Sequence, residues 1–346
     1  PPPPPPPPRD SIRRQRQMCI RDRHNIADEL TPAERSRAPL TLTAFVLGMG
    51  LGTFFSGPLS DAYGRRAMMF WAAGLYIAAS LVAYFAQSIE VLLAARVIQG
   101  VGASGPRVVC IAIIRDLYAG REMARILSIV MVIFTIIPAF APAMGVVIIE
   151  FAGWRSIFIA FVTFSLISAL WLGLRLPETL AVQDRRPLRL PLIFDAVREM
   201  FDHPVVRIAI IVQTISMAML FCLLVLIQPV YQVVFDKLDT FPYWFGAIAL
   251  SSALSSFLNA MLVIRFGMRR LITIGLAMQI CLSAVVLSIH GDVASQGFFI
   301  FAFWQAFVFF QAGLTIGNLN AIAMEPMGHI AGMAASVIGA FSTVCA

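Results

Sequence analysis

The sequence predicts an all-α, multi-pass membrane protein, and three observations carry that prediction. Hydrophobic residues make up 59% of the 346 residues and charged residues only 13%, where a soluble domain has about 25% charged residues; mean hydropathy is +0.82. Nine stretches of at least 19 residues contain no Asp, Glu, Lys or Arg, and roughly 20 apolar residues span a hydrocarbon core as a helix. The Lys and Arg residues between these stretches alternate in number along the chain, as the positive-inside rule requires. Such a composition excludes a soluble enzyme, a disordered chain and a nucleic-acid binder. The net charge of +7 is no nucleic-acid footprint, because Arg9 to Arg23 alone carry six Arg and two Asp.

Residues 1–24 open with eight Pro and continue Arg-rich. With no apolar run they are not a signal peptide, and they read as an artefactual or disordered tail outside the fold. The charge-free stretches that follow are 38–60, 67–89, 126–149, 156–174, 208–235, 240–264, 271–291, 293–324 and 326–346. A tenth span, 91–114, is apolar apart from Arg96 and Arg107. The last span opens with Pro326, Gly328 and His329 and holds about 16 residues of helix, so it reads as cut short. One set of alternate loops collects 14 Lys and Arg and the other set two. The first set is cytoplasmic, although loop 321–329, on that side, has none. Trp71, Tyr84, Trp154, Trp171, Tyr231, Tyr243 and Trp244 fall near span ends, where amphipathic rings prefer the interface; Trp304 falls in mid-span. The five Cys show no metal-ligand spacing and read as small buried hydrophobes.

Segment 175–207 is the one long polar stretch between spans. Leu192, Ile193, Val197, Met200 and Phe201 recur there at helical spacing among Asp195, Arg198, Glu199 and Asp202. This predicts an amphipathic helix on the cytoplasmic surface, either an interdomain hinge or a plain spacer. Tyr63-Gly64-Arg65-Arg66 recurs across the linker as Phe266-Gly267-Met268-Arg269-Arg270. An aromatic-Gly-Arg turn repeated after one half-length points to parallel duplicated halves.

Several residues stand out chemically. Arg96 and Arg107 lie eleven residues apart, three turns plus about 20°, so they share one helix face. Charges inside a membrane are costly and face a partner or a wet cavity, so with Gln99 they are candidates for holding an anionic group or tuning a nearby acid; snorkelling is the competing account. Gly57 permits close helix contact, Asp61 sits where a helix meets the cytoplasm, Gly64 permits a tight turn, and Arg65 and Arg66 anchor that turn at the anionic leaflet. Pro138, Pro142 and Gly145 would kink a membrane helix and admit a neighbour. Gln213, Gln305, Gln311 and Asn318, with Trp304 and Phe307, are candidates for a pocket that takes a flat lipophilic guest. Interhelical hydrogen bonding and packing would also account for them.

Gly57-Pro58-Leu59-Ser60-Asp61-Ala62-Tyr63-Gly64-Arg65-Arg66 resembles the loop signature of the major facilitator superfamily. Arg96-Val97-Ile98-Gln99-Gly100-Val101-Gly102 is similar to that superfamily's fourth-helix motif, and Pro138-Ala139-Phe140-Ala141-Pro142-Ala143-Met144-Gly145 to its fifth-helix antiporter motif. Arg115-Asp116-Leu117, Gly153-Trp154-Arg155, Pro177-Glu178-Thr179-Leu180 and Met327-Gly328-His329-Ile330-Ala331-Gly332 look like the Bcr/CflA group of drug:proton antiporters. The resemblance covers about residues 25–346. It implies two parallel-repeat six-helix bundles, of which this chain would lack the first helix, most of the eleventh and the twelfth. Residues 25–180 would form the N-terminal bundle (family helices 2–6), 181–206 a cytoplasmic linker with a surface helix, and 207–346 the C-terminal bundle (helices 7 to part of 11). It also implies a conformational latch of Gly57, Asp61, Gly64, Arg65, Arg66 and Arg115, with Asp61 facing the start of the eleventh helix. There are departures: Ala141 and Val146 replace two Gly of the antiporter motif, and Ile264 stands where Asp61 stands in the first half.

The function implied is export of small lipophilic drugs in exchange for protons by alternating access, at the bacterial inner membrane. The alternatives are proton-coupled transport of a specific metabolite, or a non-functional fragment of such a transporter. A membrane-embedded enzyme or sensor would need convergent His, Asp and Ser groups or a sizeable soluble domain, and the sequence offers neither. No cofactor is expected beyond the proton gradient, no metal, and no partner beyond guest, proton and bilayer; the chain reads as a monomer.

Overall fold

The computed structural model describes residues 30, 37, 39–118, 120–185, 190–290 and 297–346. The tail 1–24 lies outside the described residues, as do the side chains of Arg115 and Pro138. Ten helices match the ten spans. They are α1 (Leu40–Tyr63), α2 (Arg65–Tyr84), α3 (Ile89–Leu117), α4 (Gly120–Ala152) and α5 (Ser156–Arg175), then, after the linker, α7 (Pro204–Pro229), α8 (Phe241–Phe266), α9 (Met268–His290), α10 (Phe298–Met324) and α11 (Ala331–Val344). The linker helix is α6 (Leu190–Asp202). Seven of the described helices are long and apolar enough to cross a membrane, while α4, α8 and α11 carry shorter apolar runs, at Phe140–Ala152, Phe257–Phe266 and Met333–Val344. The final span is a 14-residue helix after the 3₁₀ turn Glu325–Ile330.

Local chemistry sets several boundaries. Ser88 Oγ accepts the Val91 N–H at 3.3 Å and starts α3, satisfying an amide the first turn leaves open. Pro204 begins α7, where its missing N–H costs nothing. Gly64 (φ 102°) and Gly267 (φ 78°) are the single-residue joints between α1 and α2 and between α8 and α9. Both use positive φ, which side chains disfavour, so the repeated aromatic-Gly-Arg turn is a repeated backbone device. Helix α4 runs from Gly120 to Ala152 through Pro142, and a Cβ at Gly145 would meet none of the described residues within 4 Å.

Before the linker, α3 is held between α1 and α2, and α5 lies on α2. Close approach is made by small residues: Gly48 on α1 abuts the Val97 backbone, and Gly100 on α3 abuts the backbone of Phe45 and Met49. After the linker, α10 is central, packed by α7, α8 and α9. Two pairs cross between these groups, α1 with α11 and α4 with α8. Helix α6 turns Ala196 and Met200 inward, sets the Phe201 ring 5.0 Å from Phe341 of α11 and leaves Phe194 68% exposed.

The expectation that the Cys side chains are buried fails. Cys222, Cys281 and Cys345 are exposed and Cys110 is half-buried, because the outside of a membrane bundle meets lipid and an apolar thiol has no reason to hide. Trp154 and Tyr231, which follow the ends of α4 and α7, are packed against protein; Tyr231 sits among Phe241, Phe298 and Phe301.

Candidate functional site

The most densely bonded polar cluster gathers around the first residues of α2. Arg65 is 3% exposed, and its guanidinium donates to Asp61, to Ser60 Oγ at 2.7 Å and to Asp116 Oδ2 at 2.9 Å. The backbone N–H groups of Arg65 and Arg66 donate to the two oxygens of Glu178 at 2.9 and 3.2 Å. The carboxylate also accepts from the Thr179 and Leu180 amides. An anion at a helix N-terminus meets both open amides and the positive end of the helix dipole. Gly64 is forced by space as well as by φ: a Cβ there would lie 2.5 Å from Glu178 Oε2. The ends of α1, α3 and α5 are thus tied to the start of α2.

Of the predicted latch, Asp61, Gly64 and Arg65 come together here. Arg66 turns aside, its Nη2 donating to the Gly173 carbonyl at 2.7 Å. The described hydrogen bond of Asp61 goes to Arg65, a buried guanidinium four residues away on the same face; the side chains at 328, 329, 331 and 332, where α11 starts, lie outside the described residues. Glu178, Asp116 and Ser60 had no role in the sequence reading. The stretch containing Glu178 resembled a family motif, but nothing local says that a carboxylate beyond one helix caps another.

Gly57 does make a close helix contact, and it lies across the interface. A Cβ at Gly57 would stand 2.5 Å from Ser336 Oγ and 3.6 Å from Ser336 Cβ. The same seam continues at Thr53 against Gly339 and at Gly50 against Val344. Small residues therefore zip α1, from about Gly50 to Gly57, to α11.

Arg96 and Arg107 share a face as expected, and that face meets α1. Arg96 Nε donates to the Thr41 carbonyl at 3.2 Å, Nη1 donates to Gln99 Oε1, and its guanidinium carbon lies 4.5 Å from the Phe45 ring centroid. Gln99, fully buried, passes the link to Ser80 Oγ at 2.7 Å. Arg107 is exposed, with Nη1 3.8 Å from Met49 Sδ. Thr41, Phe45 and Met49 follow at four-residue spacing, so both arginines flank one stripe of α1. Arg96 is held by polar partners, whereas among the described residues Arg107 is given a thioether.

The six pocket candidates lie on two helices, Gln213 on α7 and the other five on α10. Gln305 and Gln311 are fully buried, and Asn318 and Gln213 are 4% and 2% exposed. They bond between or along helices: Tyr231 Oη donates to Gln305 Oε1 at 3.0 Å, Gln213 Nε2 to Asn320 Oδ1 at 3.2 Å, Gln311 Nε2 to Thr315 Oγ1 at 2.8 Å, and Asn318 Nδ2 to Asn259 Oδ1 at 2.6 Å. Trp304 Nε1 donates to Ser283 Oγ at 3.0 Å, which gives this mid-span Trp its polar partner. Phe307 stacks on Phe310 with centroids 5.9 Å apart. Gln213 Oε1, Gln279 Oε1, Gln305 Nε2 and Gln311 Oε1 are buried with no hydrogen-bond partner among the described residues. Each keeps the capacity to bind a water or a polar guest group.

Comparison with known proteins supports the same architecture. A family model described as Major Facilitator Superfamily matches residues 26–346. A Bacillus subtilis protein described as "Uncharacterized MFS-type transporter YdgK" is 31% identical over 327 residues, covering 91% of this chain and 78% of that protein. A Haemophilus influenzae protein described as "Bicyclomycin resistance protein homolog" is 29% identical over 300 residues, covering 86% and 75%. The crystal structure of a D-xylose-proton symporter superposes with a TM-score of 0.70 at 17% identity, over 90% of this chain and 77% of that one; at that identity the likeness concerns the fold alone.

Proposed function

This chain belongs to the major facilitator superfamily, and from that premise we propose that it exports small lipophilic drugs in exchange for protons by alternating access at the bacterial inner membrane. The observation that carries the proposal is the similarity, along most of both chains, to the bicyclomycin resistance protein homolog.

In this account the two groups of helices rock about the α1–α11 and α4–α8 seams. With Gly57 seated on Ser336, the arginine-rich side is closed. Opening that side separates the small-residue seam, while the cluster of Asp61, Arg65, Asp116 and Glu178 keeps α1, α2, α3 and α5 moving as one body. Arg96, positioned by Gln99 and the Thr41 carbonyl, supplies fixed positive charge that favours the ionised form of an approaching acid or holds an anionic guest group. Arg107 offers a second such charge on the same stripe of α1. Buried amides on α7 and α10, together with Trp304 and Phe307, provide hydrogen-bonding and stacking groups for a flat guest.

The test is export by cells that lack their own major pumps. Expression of the chain should reduce accumulation of several unrelated lipophilic dyes and raise resistance to bicyclomycin, and a protonophore should abolish both effects. Unchanged accumulation with the protein present in the membrane would reject drug export. Export that persists without a proton gradient would reject proton exchange.

A further inference from the structure

Two serines occupy matching places in the two halves of the chain. Ser80 on α2 and Ser283 on α9 lie 203 residues apart, as the glycine joints Gly64 and Gly267 do. Each therefore stands equally far beyond the joint that starts its helix. Each also accepts an N–H from a side chain of the next helix. Ser80 Oγ donates to the Tyr76 carbonyl at 2.7 Å, which uses its only proton, and accepts Gln99 Nε2 at 2.7 Å. Ser283 Oγ accepts Trp304 Nε1 at 3.0 Å and Gln279 Nε2 at 3.2 Å. The groups held in this way lead to the charge and to the ring assigned to transport above: Gln99 Oε1 takes the Arg96 guanidinium, and Trp304 is a stacking group for the guest.

We propose that Ser80 and Ser283 are equivalent positioning residues, one in each half, with Ser80 orienting Arg96 through Gln99 and Ser283 orienting Trp304. A glutamine amide has one accepting end and one donating end, and a guanidinium only donates. Gln99 must therefore turn its oxygen to Arg96, and its nitrogen then needs an acceptor. With its proton committed to Tyr76, the Ser80 hydroxyl can only accept, so the amide is held the way round that Arg96 requires. Ser80 and Gln99 are both fully buried, so bulk water does not stand in for either. In the second half the held group is an indole N–H, a donor with no accepting capacity, which is costly to bury without a partner. Its bond to Ser283 fixes the rotation of the Trp304 ring, which lies 5.9 Å from the Phe301 ring and tilted 33° to it. The inference rests on the transport roles of Arg96 and Trp304 and adds the residues that aim them.

The test measures proton-driven uptake of ethidium into everted membrane vesicles at equal protein levels. Ser283→Ala should raise the half-saturating ethidium concentration by about fivefold at an unchanged maximal rate, and Ser283→Thr, which keeps the hydroxyl, should restore it. Ser80→Ala should lower the maximal rate by about fivefold at an unchanged half-saturating concentration. Each effect should vanish once the positioned group is gone: Ser283→Ala should add nothing to Trp304→Phe, and Ser80→Ala nothing to Gln99→Leu. On the purified protein, the emission of Trp304, taken as the difference between chains with and without Trp304→Phe, should move to shorter wavelength in Ser283→Ala and return in Ser283→Thr. Additive effects in either pair overturn the inference, as does an unmoved emission. A wild-type chain that moves no ethidium rejects the transport reading alone, and the emission then decides the inference: a shift that Ser283→Thr reverses upholds it, and an unmoved spectrum overturns it.

Discussion

Glu178 Oε1 accepts the backbone N–H of Arg65 at 2.9 Å across 113 residues of sequence. Glu178, three residues beyond the end of α5, is therefore the N-terminal cap of α2. Because Arg65 is also bonded to Asp61 and Asp116, this one position joins four helix ends.

Removing the cap should loosen that joint. Glu178→Ala leaves the first amides of α2 open, a loss of about 0.5–2 kcal/mol by analogy with other helix caps. Thermal unfolding of the purified protein should fall accordingly, and trypsin should cut after Arg65 and Arg66 faster than in the wild type. Unchanged unfolding and cleavage would mean that the carboxylate contributes nothing there.

The α1–α11 seam can be locked chemically. The built Cβ of Gly57 lies 3.6 Å from Ser336 Cβ, within the range of about 3.5–4.5 Å that a disulfide needs. In a chain without its native Cys, Gly57→Cys with Ser336→Cys should cross-link under mild oxidation, stop dye export and recover with reductant. A cross-linked protein that still exports at the wild-type rate would refute alternating access through this seam.

Arg96 and Arg107 should respond unequally to replacement by Lys. A single ammonium cannot reproduce the fork that reaches the Thr41 carbonyl and Gln99 together. Charged hydrogen bonds contribute enough that losing one should cut proton-driven export by about tenfold or more. Arg107→Lys gives up, among the described residues, a thioether contact and should retain most of its export. Equal rates for the two variants, at equal membrane levels, would remove the distinction between the arginines.

Membrane class and the places of the ten long helices were legible in the sequence because each depends on local apolarity, which a lipid solvent reads residue by residue. Helical periodicity was enough to place Arg96 and Arg107 on one face, and Gly64 and Gly267 were readable as turns because a single residue must adopt positive φ. Everything that required a partner from another helix was decided by the tertiary structure. Examples are Asp116 pairing with Arg65, Glu178 capping α2, Ser336 meeting Gly57, and Tyr231 donating to Gln305 Oε1. Apolarity also failed to sort inside from outside: Cys222 and Phe194 are exposed while Gln305 and Gln311 are buried. The physical reason is that lipid welcomes an apolar surface, so in a membrane the contrast that tells core from exterior in water is absent. Only the packing of small residues and the pairing of polar groups between helices selects one arrangement.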